Sequence, residues 1–203
     1  IDEERIRRRK HCGGFPELAI KEVIRIAKIN PSDIEHVAIG YKEILLPLYI
    51  KQTTLNQRNI TVNPIKSWKD RQGIGLFEKY YAYSHKSKFL KWINYSTTQS
   101  MIRSALSKLN INAPITRYDH HTCHAATAAL TSGWNKCLVI TADGRGDGIT
   151  STVSIFENNE LKQLSHSTVE SSLGNFFGAV TEAIGFKYGD GEGKTEALSA
   201  FGK

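Results

Sequence analysis

The densest group of chemically active side chains is the run Asp119-His120-His121-Thr122-Cys123-His124. If this run opens a helix, His120 and His124 project from one face, as two ligands of one metal ion must. Imidazoles at this spacing suit zinc or iron, with a carboxylate from elsewhere completing the site. The alternative is a polar helix start in which Asp119 caps the helix and the histidines only form hydrogen bonds. The absence of HExxH argues against a zinc protease.

A glycine-rich segment, Asp143-Gly144-Arg145-Gly146-Asp147-Gly148, lies between two predicted antiparallel strands. Alternating glycines let the backbone approach a phosphate closely, and neighbouring carboxylates can hold a metal or order water. On its own the segment is also compatible with a long hairpin turn. Together with the histidines it predicts a His-His-carboxylate site, formed by His120, His124 and Asp143, beside a phosphate cradle.

A second glycine-rich segment, Gly189–Thr195, does not fit the P-loop pattern, because Tyr188 occupies the position that needs the first glycine. As a loop that leads into a helix, it could bind a nucleotide phosphate at the helix N-terminus, with Lys194 as the counter-charge. An ordinary surface loop is the alternative.

Basic residues are concentrated near the start of the chain, where Arg5, Arg7, Arg8, Arg9, Lys10 and His11 follow one another closely. Such a cluster is typical of a solvated face or of a site for phosphate or nucleic acid. No recognition motif of a nucleic-acid-binding module accompanies it. Nucleic acid is therefore not the partner we expect.

Composition places the 203 residues among globular proteins, with 40% hydrophobic and 23% charged side chains and 5 prolines. Residues 1–110 hold 20 Lys and Arg against 10 Asp and Glu, whereas residues 111–203 hold 7 against 10. The sequence has no apolar run long enough to span a membrane and no secretory leader, so we expect a cytoplasmic protein. Three cysteines without a CxxC pair argue against a disulfide framework or a sulfur-built zinc site.

Alternating helices and strands must position these residues. Pro16, followed by apolar residues at helical spacing, predicts a helix that ends before Asn30-Pro31. Residues 44–96 mix aromatics and lysines without a clean period and predict irregular helices and loops. We expect the other elements as a strand at 36–41, a helical stripe at 101–109, a strand at 115–118, a helix at 120–130, a three-stranded meander at 137–142, 149–156 and 161–166, and a helix at 175–186.

The two ends of the sequence suggest a fragment of a longer protein. The first residue is Ile1, and Ile1-Asp2-Glu3-Glu4 is typical of the end of a strand already under way. Trimming of a tag or tail is the alternative explanation.

The pieces, in this order, resemble the N-terminal domain of the O-carbamoyltransferases that decorate antibiotics and nodulation factors. Four matching segments are spread over nearly the whole chain. In chain order they are Glu3-Glu4-Arg5 through Lys10-His11 with Gly14-Phe15-Pro16, Asp119-His120-His121-x-x-His124-Ala125, Thr141-Ala142-Asp143-Gly144-x-Gly146-Asp147, and Gly191-Glu192-Gly193-Lys194-Thr195 running into Phe201-Gly202. The second and fourth segments are the most specific.

The resemblance implies an α/β chain of the actin, sugar-kinase and heat-shock ATPase fold, which duplicates a lobe of three strands, helix, strand, helix, strand, helix. Residues 1–134 would be a first lobe without its opening hairpin, and residues 135–203 would begin the second. The rest of that lobe and a further C-terminal domain of the same protein would follow residue 203.

The resemblance also implies residue roles. His120, His124 and Asp143 would bind a divalent metal, iron first, with zinc or magnesium as alternatives and a fourth carboxylate beyond residue 203. Lys10 and His11 would be catalytic and face carbamoyl phosphate. Nucleotide phosphates would face Gly144, Gly146, Asp147, Gly148, Gly191, Glu192, Gly193 and Lys194.

The implied reaction is attack of carbamoyl phosphate on ATP to give carbamoyl-adenylate, followed by transfer of the carbamoyl group to a hydroxyl of a small-molecule acceptor. The sequence departs from the family at Glu196-Ala197-Leu198-Ser199, where an aliphatic segment is usual, and this leaves the acceptor open. One rival is the tRNA threonylcarbamoyl-transfer family, whose corresponding helix usually has the pattern HxEGH. Between its histidines this chain has Thr122-Cys123 instead, which argues against that family. A rival of another class is a non-catalytic nucleic-acid-binding domain that uses residues 5–11.

Overall fold

The computed structural model describes residues 2–9, 12–44, 46, 49–50, 83–84 and 86–202. Two compact units are present, and Tyr118 is the last residue of the first before Asp119 continues in the second. Within the described residues there are six α-helices and two sheets, which confirms the α/β class. The expected lobes, 1–134 and 135–203, stay a prediction.

The first unit contains a short parallel sheet. Its elements are α1 (Glu3–Arg7), α2 (Glu17–Ala27), β1 (Val37–Ile39), α3 (Lys88–Ser107) and β2 (Ile115–Arg117). Strands β1 and β2 pair in parallel, with Val37 opposite Ile115. The core of this unit includes Ile102 and Leu106 of α3 together with Ile111.

The expectation that Ile1–Glu4 ends a strand is wrong, because the described part of this segment begins helix α1. Glu3 and Glu4 lie in the first turn and Arg5 and Arg7 in the last, which is the charge order that the helix dipole favours. Glu3 also accepts a hydrogen bond from Nε of Arg7, one turn later, at 2.6 Å.

Glu3 stabilises a second helix as well. Its Oε2 accepts the backbone N–H of Ala19 in the first turn of α2 at 2.8 Å, and Pro16 at the N-cap position supplies no side-chain cap. Because Glu3 is only 7% exposed, removing its carboxylate leaves the buried N–H of Ala19 without a hydrogen-bond acceptor.

We expect Glu3→Ala to lower the free energy of unfolding by about 1–3 kcal/mol, which is the cost of an unsatisfied buried donor. Urea unfolding followed by circular dichroism would measure it. The matched variant Glu22→Ala, on the exposed side of α2, should change stability much less. Equal effects of the two variants would contradict this role of Glu3.

Residues 44–96 were expected to form irregular helices and loops, but from Lys88 onward they belong to the regular helix α3. Ser87 caps it by accepting the N–H of Leu90 at 3.4 Å. The buried stripe consists of Asn94, Thr98, Ile102 and Leu106, at a spacing of four residues. Half of this stripe is polar, so the helical period was hidden from a search for apolar residues. The rest of segment 44–96 lies mostly outside the described residues.

The second unit has the expected meander with helices around it. Its elements are α4 (His120–Thr131), β3 (Lys136–Gly146), β4 (Ile149–Glu157), β5 (Glu160–Thr168), α5 (Leu173–Ala183) and α6 (Glu192–Leu198). The sheet order is β3-β4-β5, and both pairings are antiparallel. Val139 and Phe156 on one face of the sheet pack with Ala125 and Ala129 of α4.

Two bounds in this unit differ from expectation. Strand β3 continues past Ala142 to Gly146, with an irregularity in its register, so most of the glycine-rich segment is part of the strand. Helix α5 begins at Leu173 because Ser172 caps it, accepting the N–H of Asn175 at 3.0 Å. In the part of the chain that the structure describes, no helix combines the length and apolar character needed to cross a bilayer.

Candidate metal centre

The first turn of α4 is held by two carboxylates. Asp119 caps the helix by accepting the N–H of Thr122 at 2.8 Å, as the hydrogen-bonding alternative expected. Asp147, from the turn between β3 and β4, accepts the N–H of His120 at 2.8 Å. Two otherwise unsatisfied helix donors are thereby used, and the start of α4 is fixed to the β3–β4 turn.

From this helix two imidazoles meet the carboxylate of Asp143 on β3. Nε2 of His120 lies 2.8 Å from Oδ2 of Asp143, and Nε2 of His124 lies 3.5 Å from the same oxygen. The two Nε2 atoms are 3.0 Å apart. Among the described residues, these three form the one cluster of His, Cys, Asp and Glu side chains arranged so that they could hold a metal ion.

The spacing of the three donor atoms suits a first-row divalent metal. Ligand atoms at about 2.1 Å from an ion are about 3.0 Å apart when their bonds are at right angles, and about 3.4 Å apart in a tetrahedron. The observed separations of 2.8, 3.0 and 3.5 Å cover this range. One proton on Nε2 of His120 cannot form good hydrogen bonds to both Asp143 and His124, whereas one cation between the three atoms can be coordinated by all of them.

Asp143 is in the protonation state that a metal requires. Burial disfavours its charged form, but the hydrogen bonds from His120 and from the Gly144 amide, together with the charges of His120 and His124, outweigh burial and hold the pKa of Asp143 below its usual value. The Gly144 N–H donates to Oδ1 at 2.6 Å, so Oδ2 faces the histidines. The carboxylate is therefore ionised at neutral pH, as metal binding needs.

One side of the cluster is open. The His120 side chain is 11% exposed, Asp143 37% and His124 52%. An ion held here would keep positions for water or substrate, which is the arrangement of catalytic rather than structural sites.

The glycine-rich segment forms a tight turn and leaves space for the imidazole ring of His120. Asp147 and Gly148 have φ values of 52° and 81°, as the two central residues of a two-residue hairpin turn require. Gly146 lies directly under His120, and a Cβ at this position would overlap the imidazole ring. Of the predicted phosphate-facing residues, Gly144 therefore gives its amide to Asp143, while Gly146 and Asp147 contact His120.

The other predicted nucleotide residues lie at the start of α6. Gly191, the N-cap of this helix, packs so closely on Phe186 and Lys187 that a Cβ would not fit. Glu192 accepts the N–H of Gly189 at 2.6 Å, and Lys194 stands 5.8 Å over the ring of Phe186.

Helix α5 lies between the two glycine-rich segments. Thr181 of α5 accepts a hydrogen bond from Thr195 of α6 at 2.8 Å, while Gly174 in the first turn of α5 packs on the backbone of Gly144. The two residues predicted to be catalytic, Lys10 and His11, lie outside the described residues.

His121 is the residue whose separate role the sequence did not reveal. It is completely buried and points into the sheet, where it bonds Thr141 at 2.8 Å and the carbonyl of Ile149 at 3.0 Å. The available signal was helical geometry, because His121 lies about 100° around α4 from His120 and therefore faces another direction.

Cys123 gives a testable property of this helix turn. Burial, and then the charges of Asp119 and Asp147, raise the pKa of the Cys123 thiol. A raised pKa means less thiolate at a given pH, so we expect Cys123 in the native chain to be alkylated by iodoacetamide more slowly at pH 8 than in the denatured chain. Peptide-resolved mass spectrometry across pH would show its reaction midpoint moved upward. A midpoint equal to that in denaturant would contradict the expectation.

Comparison with known proteins identifies the family of this chain. The model of the family described as Carbamoyltransferase N-terminus matches residues 1–203. An uncharacterized protein of Methanocaldococcus jannaschii is 25% identical over 201 residues, which are 99% of this chain and 28% of the relative. An uncharacterized protein of Synechocystis sp. is 26% identical over 208 residues, 100% of this chain and 31% of the relative.

A third relative carries a functional name. Nodulation protein NolNO of Sinorhizobium fredii is 23% identical over 202 residues, 100% of this chain and 25% of that protein. The chain thus spans about a quarter to a third of the length of these relatives. Because the family model covers the sequence from end to end, the chain belongs to the carbamoyltransferase N-terminus family.

Proposed function

We propose that this chain is the metal-holding, nucleotide-dependent domain of an O-carbamoyltransferase that activates carbamoyl phosphate with ATP. The observation that carries the proposal is the convergence of His120 Nε2, His124 Nε2 and Asp143 Oδ2 within 3.5 Å of one another. It occurs in a chain whose whole length matches the N-terminal domain of carbamoyltransferases.

The proposed fold is that of actin, the sugar kinases and the heat-shock ATPases, with the end of one lobe followed by the start of the next. Two features support it: the parallel pairing of β1 with β2 in the first unit, and the antiparallel meander β3-β4-β5 followed by α5 in the second. The C-terminal domain that the proposal includes would correspond to the part of the longer relatives that this chain does not match.

The proposed reaction has two steps. A carbamoyl oxygen forms a bond to the α-phosphorus of ATP while the bond to the β-phosphate breaks, which releases pyrophosphate. The phosphate of carbamoyl phosphate leaves as inorganic phosphate: water attacks its phosphorus, the carbamoyl O–P bond breaks, and the carbamoyl group keeps the oxygen that bonds to the α-phosphorus. An acceptor hydroxyl then attacks the carbamoyl carbon, AMP leaves, and the hydroxyl proton passes to solvent.

The chain's own residues have distinct roles in this proposal. His120, His124 and Asp143 would hold the metal, which would supply a Lewis acid for phosphate and carbonyl oxygens. Iron is the metal we propose, with zinc and magnesium as alternatives, since His and carboxylate donors suit the first two best.

The glycine-rich segments would bind the nucleotide beside this site. Gly146 and Asp147 contact His120, and Gly144 donates its N–H to Asp143. These three residues and Gly148 would meet the nucleotide from β3 and its turn, while Gly191, Glu192, Gly193 and Lys194 would meet the phosphates from α6. Lys10 and His11 would bind carbamoyl phosphate and stabilise the negative charge that develops on it.

The decisive experiment incubates the full-length protein with ATP and carbamoyl phosphate, without an acceptor, and measures products by mass spectrometry. We expect carbamoyl-adenylate and pyrophosphate, and neither when carbamoyl phosphate is omitted. Absence of the adenylate, with metal and ATP both bound, would overturn the proposed chemistry. That result would favour a relative of the tRNA threonylcarbamoyl-transfer proteins or a binding role.

A further inference from the structure

A buried histidine connects the helix of the candidate metal centre to the sheet. His121 has no exposed surface, and its two ring nitrogens contact different strands. Nδ1 lies 2.8 Å from Oγ1 of Thr141 on β3, and Nε2 lies 3.0 Å from the carbonyl oxygen of Ile149 on β4. The first turn of α4 is thereby joined to both strands.

With a neutral His121 ring, each proton in this network has one donor and one acceptor. The Ile149 carbonyl can only accept, so Nε2 of His121 donates and Nδ1 accepts the hydroxyl proton of Thr141. The two lone pairs of that hydroxyl accept the backbone N–H of Thr152 at 3.1 Å and its Oγ1–H at 2.8 Å. Every partner is satisfied, so the neutral Nε2–H form of His121 has one orientation.

The anchored residues are next to the metal-binding ones. His121 follows His120 and precedes His124 by three positions, while Thr141 precedes Asp143 by two on the same strand. The hydrogen bond between His121 and Thr141 therefore fixes the donors on α4 relative to the donor on β3. Metal geometry depends on placement to within about 0.5 Å, which such a supporting contact can provide.

We propose that His121 is a positioning residue of the metal centre: through Thr141 and Ile149 it holds His120 and His124 at ligand distance from Asp143. The inference rests on the proposed function, since it needs the three residues to bind a metal. His121 is not itself a ligand in this proposal, because both of its ring nitrogens are used by the sheet.

The test measures binding of Co²⁺, whose visible absorption reports the number and geometry of its ligands. In the 203-residue chain, His121→Phe keeps a ring of similar size and removes both hydrogen bonds. Thr141→Val removes only the hydroxyl, and Thr141→Ser restores it. The control is Thr150→Val, which removes an equally buried hydroxyl on β4 that bonds the carbonyl of Thr168 at 3.0 Å.

We expect His121→Phe and Thr141→Val to bind Co²⁺ about tenfold more weakly, as is usual for residues that orient metal ligands, and with an altered spectrum. Thr141→Ser should recover the original spectrum, and Thr150→Val should keep it even if the protein melts at a lower temperature. If His121→Phe does not fold, the Thr141 pair gives the answer alone.

Two results would overturn the inference. Unchanged affinity and spectrum in folded Thr141→Val would show that the network does not place the ligands. An equal change in Thr150→Val would reduce the effect to general stability. Absence of Co²⁺ binding by the unaltered chain is a separate failure: His120, His124 and Asp143 would then not form a metal site in this chain, and the positioning role of His121 would fall with it.

Discussion

Replacing His124 with alanine should remove the metal and leave the fold intact. The His124 side chain is half exposed and contacts His120 and Asp143, while alanine is the best helix former for this position in α4. Loss of one of three protein ligands should weaken binding by more than the ~100-fold that altered supporting residues reach. Elemental analysis after gel filtration and a circular dichroism spectrum would measure both properties.

Two further variants make this result decisive. His166→Ala replaces an exposed histidine on β5 that contacts Gln163 and should keep both metal and fold. His120→Ala should also lose the metal, with lower stability, because its ring is buried against Gly146. Unchanged metal content in both His120→Ala and His124→Ala would refute the ligand assignment.

Gly146→Ala should damage the same centre through a residue that binds nothing. The new methyl group would occupy the space of the His120 ring, so the ring must leave the position in which it contacts Asp143. We expect the free energy of unfolding to fall by about 1–3 kcal/mol, as for other overpacked sites, together with loss of metal. Urea unfolding of the metal-free chain and Co²⁺ titration would separate the two effects.

Gly144→Ala is the matched control, two residues earlier on β3. A Cβ at Gly144 meets no atom within 4 Å. Metal affinity and stability should therefore stay close to those of the original chain. If both glycine variants behave alike, the packing of His120 on Gly146 does not govern the site.

Much of the candidate site could be anticipated because its determinants are local. The spacing of His120 and His124 depends only on helix geometry, and Asp119 is a strong N-cap residue, so helix α4 was predicted within one residue of its observed end. Turn residues between the segments 137–142, 149–156 and 161–166 likewise predicted the meander. Patterns that repeat every two or four residues are visible without any tertiary information.

The remainder depends on contacts between distant residues. Nothing near Asp147 in sequence indicates that it accepts the N–H of His120, 27 residues away, or that Gly146 must be small for the same ring. The buried face of α3 contains Asn94 and Thr98, so its period is visible only when burial is known. Helix α1 was missed because its stability comes from ion pairing and from the distant amide of Ala19 rather than from an apolar pattern.

The three candidate donor atoms, Nε2 of His120, Nε2 of His124 and Oδ2 of Asp143, lie within 3.5 Å of one another. An ion bound to the folded chain at these atoms would add its binding free energy to folding stability by mass action, about 2.7 kcal/mol at a hundredfold excess over Kd. Helix α4 and strand β3 hold the two imidazoles and the carboxylate, so folding does not depend on which metal binds and does not exclude a wrong one. Selection among iron, zinc and their neighbours therefore falls to the supply of metal in the cell, since intrinsic affinity follows the Irving–Williams order.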